Sequence, residues 1–353
     1  MELSQFSQDP LKCLLSYKDA ESVPKELLDS LISFDQSFSL ESSSKIPITN
    51  SSILSKLSTF YTLQQDILSY ISEKSLNPTT LCYNLWKFYL PFALHLQASF
   101  LKSSKKPIIQ GVVGVQGAGK TTFTEILVII LQNLKLNVSA VSIDDFYKTY
   151  AERQEIKQKD SRFKWRGPPG THDLDKAIDL VKAIKNQKSP YNFPVFDKSL
   201  HQGEGDRIPD RSIDKVDILL LEGWFIGMRP LKKGYFLDKN LNIGGDEKDR
   251  EFAENISGIL EGYCDLWDLL DDLIILWPEN VDFSKSWRVE AEEKMKGQGK
   301  EGKSNREIED FVDYFWSALN PKIYINDMTE NKRASFKFNF NLKHELTKIE
   351  AFL

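Results

Sequence analysis

The spacing of hydrophobic residues changes at about residue 105. Before that point, apolar residues recur every three or four positions, as in the segment from Ile53 to Ser72, and no long stretch alternates as a strand would. The pattern predicts a helical N-terminal extension over residues 1–105, with serine- and proline-rich punctuation at 42–52. We interpret this extension as a helical cap or a dimerisation surface, since it carries no candidate chemistry.

After residue 106, apolar runs of strand length recur, and helical periodicities such as Phe123–Leu134 and Leu174–Ile184 separate most of them. The runs are PIIQGVVGV (107–115), NVSAVSI (137–143), VDILLLEGW (216–224), LIILW (273–277) and KIYIN (322–326). Strands that are apolar throughout and alternate with helices are typical of a parallel sheet that is covered on both faces. We therefore predict a single α/β domain over residues 106–353, with a parallel sheet flanked by helices.

The segment GVQGAGKT matches the phosphate-binding pattern G-x-x-x-x-G-K-[ST], and it lies between a predicted strand and a predicted helix. Glycines in such a loop let backbone N–H groups surround phosphate oxygens, and the helix N-terminus adds partial positive charge. The sequence thus predicts a P-loop NTPase fold that binds ATP. Lys120 is expected to reach the β- and γ-phosphates, and Thr121 to bind Mg²⁺. The residues predicted to bind the nucleotide are Gly114, Gln116, Gly117, Ala118, Gly119, Lys120, Thr121 and Thr122.

Carboxylates follow two of the other apolar runs. Asp144 and Asp145 end the run NVSAVSI, and Glu222 ends DILLL. The carboxyl ends of strands are where ligands bind in open α/β sheets, so one of the aspartates can act as a base toward a substrate hydroxyl and Glu222 can hold the metal. A base-reading N-K-x-D motif of the kind that GTPases use is absent from the sequence. These features favour a kinase.

A basic, glycine-containing segment near residues 288–310 suits a lid over the phosphates. A solvated loop is the alternative interpretation, because runs of charged residues usually form exposed, solvated segments. Arg288, on the predicted helix before the segment, is our candidate for a cation that stabilises the transition state.

The insert of residues 150–212 carries the charged groups that could bind an acceptor. Its stretch WRGPPGTHD predicts a rigid Pro-Pro-Gly turn followed by a helix that Thr171 or Asp173 caps. Arginine offers the bidentate geometry that a carboxylate needs, so the insert suits a small anionic substrate. The predicted substrate-binding residues are Asp145, Tyr147, Arg166, His172, Asp173, Lys198 and Arg207.

Taken in order, the blocks GVQGAGKTT, VSIDDFY, WRGPPGTHD, FPVFDKS, GEGDR and LLLEGWFIGMRP resemble the D-glycerate 3-kinases of plants and cyanobacteria. That family lies in the phosphoribulokinase, uridine kinase and pantothenate kinase branch of P-loop enzymes. The resemblance extends over about 108–321, and the residues 1–105 lie outside its motifs. Phe196 is a departure, since related chains often have tyrosine before the acid of DKS.

The resemblance implies Mg·ATP-dependent phosphorylation of a terminal hydroxyl of glycerate to give 3-phosphoglycerate. By position in the motif, Asp144 is the expected base, with Asp145 as the alternative. Another small acceptor, such as pantothenate or a nucleoside, remains open because Trp165, Tyr191 and Phe193 offer stacking surfaces. A nucleotide-binding regulator without turnover is a third hypothesis.

Composition and charge add little to the predictions of fold and function. The chain has 353 residues, 41% hydrophobic, with a net charge of -5, which argues against binding nucleic acid by broad phosphate neutralisation. Three widely spaced cysteines, Cys13, Cys82 and Cys264, suggest a reducing compartment. With no signal-like N-terminus and no apolar run long enough for a membrane span, we expect a cytoplasmic protein. The oligomeric state is open.

Overall fold

The computed structural model describes residues 19–37, 50–104, 106–238, 246–297 and 304–352, together with Leu11, Leu14 and Tyr17. The prediction for the serine-rich stretch therefore lies largely outside the described residues, as do Cys13 and the glycine-rich part of the basic segment at 298–303.

The structure contains a six-stranded sheet and a separate two-stranded hairpin. The strands are β1 (Ile108–Gly114), β2 (Val138–Ser142), β3 (Tyr191–Asp197), β4 (Asp206–Ile213), β5 (Ile218–Gly223), β6 (Asp272–Pro278), β7 (Phe336–Phe340) and β8 (Leu346–Ala351). In the large sheet the order is β2-β5-β1-β6-β7-β8, and every pair is parallel except β7 and β8. The predicted α/β fold class is confirmed.

Helices flank the sheet on both faces. They are α1 (Lys25–Ser37), α2 (Asn50–Lys74), α3 (Pro78–Asn84), α4 (Leu90–Lys102), α5 (Lys120–Asn133), α6 (Tyr150–Lys159), α7 (Leu174–Lys185), α8 (Glu247–Ile259), α9 (Cys264–Trp267), α10 (Phe283–Gly297), α11 (Asn305–Ala318) and α12 (Pro321–Glu330). A π-helical turn, Leu85–Tyr89, joins α3 directly to α4. The helical patterns predicted at 53–72, 123–134 and 174–184 fall within α2, α5 and α7.

One predicted strand is wrong. The run KIYIN lies inside α12, where Asn320 caps the helix by accepting hydrogen bonds from the N–H groups of Lys322 and Ile323, and Pro321 occupies its first turn. A proline after an asparagine cap favours a helix start, and this local signal outweighs the β-branched residues that follow. The neighbour of β6 in the sheet is instead β7, whose sequence FKFNF lies further along the chain.

The strands of the large sheet are apolar throughout because both faces are covered. On β1, Ile108 and Val112 face the helices of the N-terminal region, while Ile109 and Val113 face a second core on the opposite side. The first core also contains Phe88 of the π-helical turn and Phe123 of α5, whose rings stack at 4.8 Å. The helices before residue 105 thus complete one face of the sheet, and the two predicted regions share a hydrophobic core.

None of the described helices is both long enough and apolar enough to span a bilayer. The most apolar one, α4, is a core helix, as predicted for the run from Leu85 to Leu101.

Candidate active site

The loop between β1 and α5 has the backbone geometry of a phosphate cradle. Gly117 and Gly119 have φ angles of +81° and +78°, which favour glycine because a Cβ would be strained there. Gly119 is also the cap residue from which α5 begins. The carbonyl of Val115 accepts a hydrogen bond from Lys120 Nζ at 3.1 Å, so the lysine side chain folds back across the loop.

Lys120, Thr121 and Glu222 form the polar centre next to this loop. The hydroxyl of Thr121 donates to Glu222 Oε1 at 2.9 Å. Burial raises the pKa of the Glu222 carboxyl, and the nearby charge of Lys120 opposes that shift. Burial likewise lowers the pKa of Lys120, whereas the carboxylates of Glu222 and Asp144 act in the other direction. The hydroxyl and carboxylate oxygens of Thr121 and Glu222 are ligands of the kind that Mg²⁺ prefers.

Asp144 is held as an ionised carboxylate at the edge of the sheet. It lies in a 3₁₀ turn, Ile143–Phe146, directly after β2. The hydroxyl of Tyr147 donates to Asp144 Oδ1 at 2.7 Å, and Lys198 Nζ donates to Oδ2 at 3.0 Å. Burial favours the neutral acid, but Lys198 and Tyr147 together outweigh it, so the pKa of Asp144 lies below its ordinary value.

Asp145 has a different environment from its neighbour. Its Oδ2 accepts the backbone N–H of Ser142 at 3.0 Å, while the Ser142 hydroxyl accepts the N–H of Asp144. This reciprocal arrangement is a capping box that fixes the turn. Burial raises the pKa of Asp145. Residue type does not distinguish these two adjacent carboxylates, and only the position in the motif favours Asp144, but they differ in both hydrogen bonding and the direction of their pKa shifts.

A cavity of about 820 Å³ joins the loop to the acceptor side. Most of the side chains predicted for the site line it: Gln116, Gly117, Lys120, Thr121, Asp144, Asp145, Tyr147, Arg166, Lys198, Glu222 and Arg288. Gly114, Ala118, Gly119 and Thr122 belong to the loop and its flanking elements. A larger cavity, of about 1040 Å³, runs along β2 and shares Thr121, Ser142, Asp145 and Glu222, but lacks the loop glycines and Lys120 among its lining residues.

Three of the predicted substrate-binding residues lie behind this cavity, as a scaffold for the Asp144 turn. The buried ring of His172 stacks on Tyr147 at 4.7 Å, and its Nδ1 lies 2.9 Å from the hydroxyl of Tyr263. Burial lowers the pKa of His172 to about 3, so the ring is neutral at physiological pH. Arg207 donates to the carbonyl of Tyr147 at 2.7 Å and to the carboxylate of Asp173 at 2.9 Å.

The predicted helix cap within WRGPPGTHD is Asp173, because its side chain accepts the N–H of Lys176 at 3.1 Å. Thr171, the alternative cap, instead closes the turn by donating to the carbonyl of Pro168. Backbone hydrogen bonds tie this turn to the Asp144 turn, from Lys148 N–H to the Thr171 carbonyl and from Asp173 N–H to the Phe146 carbonyl. The motif therefore braces the turn that carries Asp144.

Two arginines hold the tip of the β3–β4 hairpin over the cavity. Arg166 donates to the carbonyl of Gly203 at 2.7 Å, and Arg153 donates to the carbonyls of Glu204 and Gly205. Both guanidinium groups lie over the ring of Phe196, at 5.0 Å for Arg153 and 5.5 Å for Arg166. Arg153 lines the cavity and was not predicted, because an arginine in the polar helix YAERQEIKQK carries no signal in the sequence.

Arg288 lies on α10, at the near side of the basic segment. It pairs with Glu292 at 3.5 Å and lies 5.8 Å from the ring centre of Phe311 on α11. Trp165 packs against Phe311 and Tyr314, at 5.4 and 5.0 Å between ring centres. The aromatic side chains that line this half of the cavity are Phe163, Trp165, Trp224, Phe311 and Phe315.

A phosphate loop, an acidic strand end on each of two neighbouring strands and a parallel sheet of this order define a P-loop kinase fold. Residues 108–230 match the model of the Phosphoribulokinase / Uridine kinase family. A D-glycerate 3-kinase from Cryptococcus neoformans has the same fold, with a TM-score of 0.67 and 23% identity over 75% of this chain and 99% of that one.

Two proteins that are similar to this chain in sequence are also kinases. The chain is 26% identical to the chloroplastic D-glycerate 3-kinase of Arabidopsis thaliana over 264 residues, 68% of this chain and 55% of that protein. It is 29% identical to a Saccharomyces cerevisiae protein described as a probable ATP-dependent kinase, TDA10, over 66% of this chain and 83% of that protein. The chain thus spans just over half of the Arabidopsis protein. The resemblance stated from the sequence motifs is confirmed, and kinases of this kind use ATP and act on small molecules.

Proposed function

We propose that this protein transfers the γ-phosphoryl group of ATP to the terminal hydroxyl of D-glycerate, giving ADP and 3-phosphoglycerate. The observation that carries the proposal is the position of Asp144. Its carboxylate lines the same cavity as Lys120 and Thr121 of the phosphate loop, and two hydrogen bonds hold it ionised. A base in that state, next to a nucleotide site, is what phosphorylation of an alcohol requires.

In the proposed reaction the acceptor oxygen forms a bond to the γ-phosphorus, and the bond from that phosphorus to the β,γ-bridging oxygen breaks. Asp144 takes the hydroxyl proton, and ADP leaves. Lys120 and Arg288 supply positive charge toward the transferred group, which carries negative charge throughout the reaction. Both cationic side chains line the cavity.

Thr121 and Glu222 are the proposed Mg²⁺ ligands, since a hydroxyl and a carboxylate oxygen meet there at the foot of the loop. The ion neutralises phosphate charge when it is bound. Magnesium keeps several waters and takes few protein ligands, so two side chains suffice.

For the acceptor, we propose that Arg166 and Lys198 bind the glycerate carboxylate. Both line the cavity, and Lys198 places its ammonium 3.0 Å from Asp144. His172, Asp173 and Arg207 are assigned a supporting role in this scheme, because their hydrogen bonds and stacking act on Tyr147 and its turn. In this scheme the kinase domain follows the helical extension, and its insert of residues 150–212, together with α10 and α11, surrounds the acceptor.

The aromatic half of the cavity supports a second candidate, a kinase for a larger acceptor. A three-carbon acid does not need Trp165 and Phe311, whereas a nucleoside base or an apolar amide would pack on them. One relative is a pantothenate kinase from Latilactobacillus sakei, 33% identical over 134 residues that make up 40% of that protein.

A coupled assay of ADP release separates these candidates. The full chain is tested with Mg·ATP and, in turn, D-glycerate, pantothenate, uridine and ribulose 5-phosphate. We expect stimulation by D-glycerate alone, abolished in the matched variant Lys120→Ala. Stimulation by another acceptor but not by D-glycerate would reject the proposed substrate. If the protein binds ADP but phosphorylates none of the four acceptors, a nucleotide-binding regulator is favoured.

A further inference from the structure

The outer rim of the phosphate loop is held from outside the loop at two consecutive carbonyls. Ser284, fully buried at the start of α10, donates its hydroxyl to the carbonyl of Gln116 at 2.6 Å. His344, in the turn between β7 and β8, places Nε2 at 2.9 Å from the carbonyl of Gly117. A carbonyl only accepts, so the Nε2 of His344 carries the proton in this contact.

Fixing these carbonyls fixes the loop's N–H groups as well. A peptide unit is planar, with its C=O and N–H directed to opposite sides. The Gln116 carbonyl is held on Ser284, so the N–H of Gly117 is directed away from α10. The Gly117 carbonyl is held on His344, so the next N–H, of Ala118, is directed back into the loop, where it donates to the carbonyl of Val115 at 3.2 Å. The conformation of the phosphate cradle therefore depends on both donors.

His344 is itself held in place on two sides. Its φ angle is +61°, a conformation that a non-glycine residue keeps only when its surroundings enforce it. Its ring stacks on Trp287 of α10 at 4.1 Å between centres, and the indole N–H of Trp287 donates to the carbonyl of Leu342 in the same turn.

The other support for this turn comes from the N-terminal helices. Asn84, buried at the junction of α3 and the π-helical turn, donates its side-chain amide to the carbonyl of His344 at 2.6 Å. Its amide oxygen accepts the N–H of Leu346 at 3.0 Å. One side chain from the region before residue 105 thus satisfies two backbone groups of the turn that contacts the phosphate loop.

We propose that His344 is a positioning residue for nucleotide binding, and that Asn84 links the N-terminal helical region to the phosphate loop through it. The relay runs from the Asn84 amide to the His344 backbone, and from the His344 imidazole to the Gly117 carbonyl. It gives the helical region a role in the geometry of the nucleotide site. The inference rests on the proposed function only in taking the loop as a nucleotide site, and it does not depend on the acceptor.

The decisive experiment compares His344→Phe with His344→Gln in the full chain. Phenylalanine keeps a ring to stack on Trp287 but cannot donate, whereas glutamine can still donate to the Gly117 carbonyl. We measure the Kd of Mg·ADP by calorimetry, without any acceptor. The expected result is a Kd raised about tenfold for His344→Phe, the size of one hydrogen bond, and by less than about threefold for His344→Gln.

In the assay of turnover, the KM for ATP is expected to rise in His344→Phe while the KM for the acceptor stays unchanged. Equal nucleotide affinity in native protein and His344→Phe would overturn the proposal, and so would an equal loss in the Phe and Gln variants. Nucleotide binding by native protein with no turnover would overturn the proposed function alone. No nucleotide binding by native protein would overturn both.

The link to the helical region is tested with Asn84→Ala, or Asn84→Ser if alanine prevents folding. The matched control is Asn133→Ala, since Asn133 also connects to the N-terminal helices, through Asp66 at 3.1 Å, but away from the turn. We expect the Kd of Mg·ADP to rise about threefold or more for the Asn84 variant, as for part of one hydrogen bond, and to stay unchanged for the control. Equal values for the two would remove Asn84 from the relay.

Discussion

Asp144 and Asp145 show how much two adjacent residues of one type can differ. Asp144 accepts hydrogen bonds from Tyr147 and Lys198, and its pKa lies below the ordinary value despite burial. Asp145 accepts a backbone N–H that closes its own turn, and burial raises its pKa. A base must be ionised and accessible to the acceptor, so the surroundings favour Asp144 for that role.

Replacing Asp144 with asparagine keeps the shape of the side chain and removes the proton acceptor. We expect kcat to fall by about 100- to 10,000-fold, the usual contribution of a general base, while Mg·ADP binds within about threefold of native protein. ADP release and calorimetry measure the two effects. Near-normal turnover in Asp144→Asn, together with loss of turnover in Asp145→Asn, would show that the assignment is reversed.

Tyr147→Phe removes one of the hydrogen bonds that favour the ionised form of Asp144, so the pKa of that carboxyl should rise. Activity requires the ionised form, and it is lost as the pH falls through this pKa. The acid limb of the profile of kcat/KM against pH should therefore move to higher pH, with a larger loss of rate at pH 5 than at pH 8. Tyr150→Phe is the control, since the Tyr150 ring stacks on His201 instead. An unshifted acid limb would contradict the prediction.

Among the elements, α10 packs closely against the phosphate loop, and nothing in its sequence predicts this contact. A Cβ placed on Gly117 would lie 2.7 Å from the Cβ of Trp287, so the loop and the helix pack without room for a methyl group. Gly119 has nearly the same φ angle, but beyond its two chain neighbours no atom of the described residues lies within 4 Å of such a Cβ. The two glycines thus share a backbone requirement and differ in packing.

This difference makes Gly117→Ala and Gly119→Ala a matched pair. Both carry the cost of a positive φ angle, about 1–2 kcal/mol, but only Gly117→Ala also displaces α10 from the loop. We expect Gly117→Ala to weaken Mg·ADP binding at least tenfold more than Gly119→Ala, as measured by calorimetry. Equal weakening would mean that the close approach to Trp287 has no part in shaping the site.

Local patterns predicted most elements but not all of them. The apolar runs of β1, β2, β5 and β6 predict strands because each strand is buried on both faces. The β-branched residues of KIYIN predict a strand, but the helix start at Asn320 and Pro321 outweighs them, and the segment is helical. Strand β4 is mostly exposed, so no buried pattern marks it, whereas β3 buries Tyr191, Phe193 and Phe196 but contains Pro194 and pairs only with β4, outside the large sheet.

At the scale of the molecule, the N-terminal helices and the sheet share one core. Phe88 packs against Phe123 of α5 and against Phe338 of β7, at 4.8 and 4.4 Å between ring centres. Without the N-terminal helices this apolar face of the sheet would be exposed to water, at a large hydrophobic cost. We therefore propose that the boundary at residue 105 separates sequence motifs but not folding units.

Phe88→Ala tests this shared core. We expect the free energy of unfolding to fall by about 3–5 kcal/mol, the usual cost of removing a buried aromatic ring. Unfolding monitored by circular dichroism and by tryptophan fluorescence should show one common transition. Leu101→Ala is the control, since that side chain is 65% exposed and its loss should cost less than about 0.5 kcal/mol. Separate transitions for the two probes would indicate independent domains.

Residue type and spacing alone predict the phosphate loop, the acidic strand ends, the covered parallel sheet and the family resemblance. Each apolar run, motif and strand end depends on residues close together in the chain, where spacing and residue type fix the local geometry, and the resemblance depends on the order of those motifs. Tertiary contacts give Asp144 and Asp145 different surroundings, place His172 and Arg207 behind the cavity, and bring Arg153 to it. They also bring Ser284 and His344 to the phosphate loop, with Asn84 holding the turn that carries His344. Those contacts join segments up to 262 residues apart, as between Asn84 and Leu346, and no local pattern records which side chains meet when the chain folds.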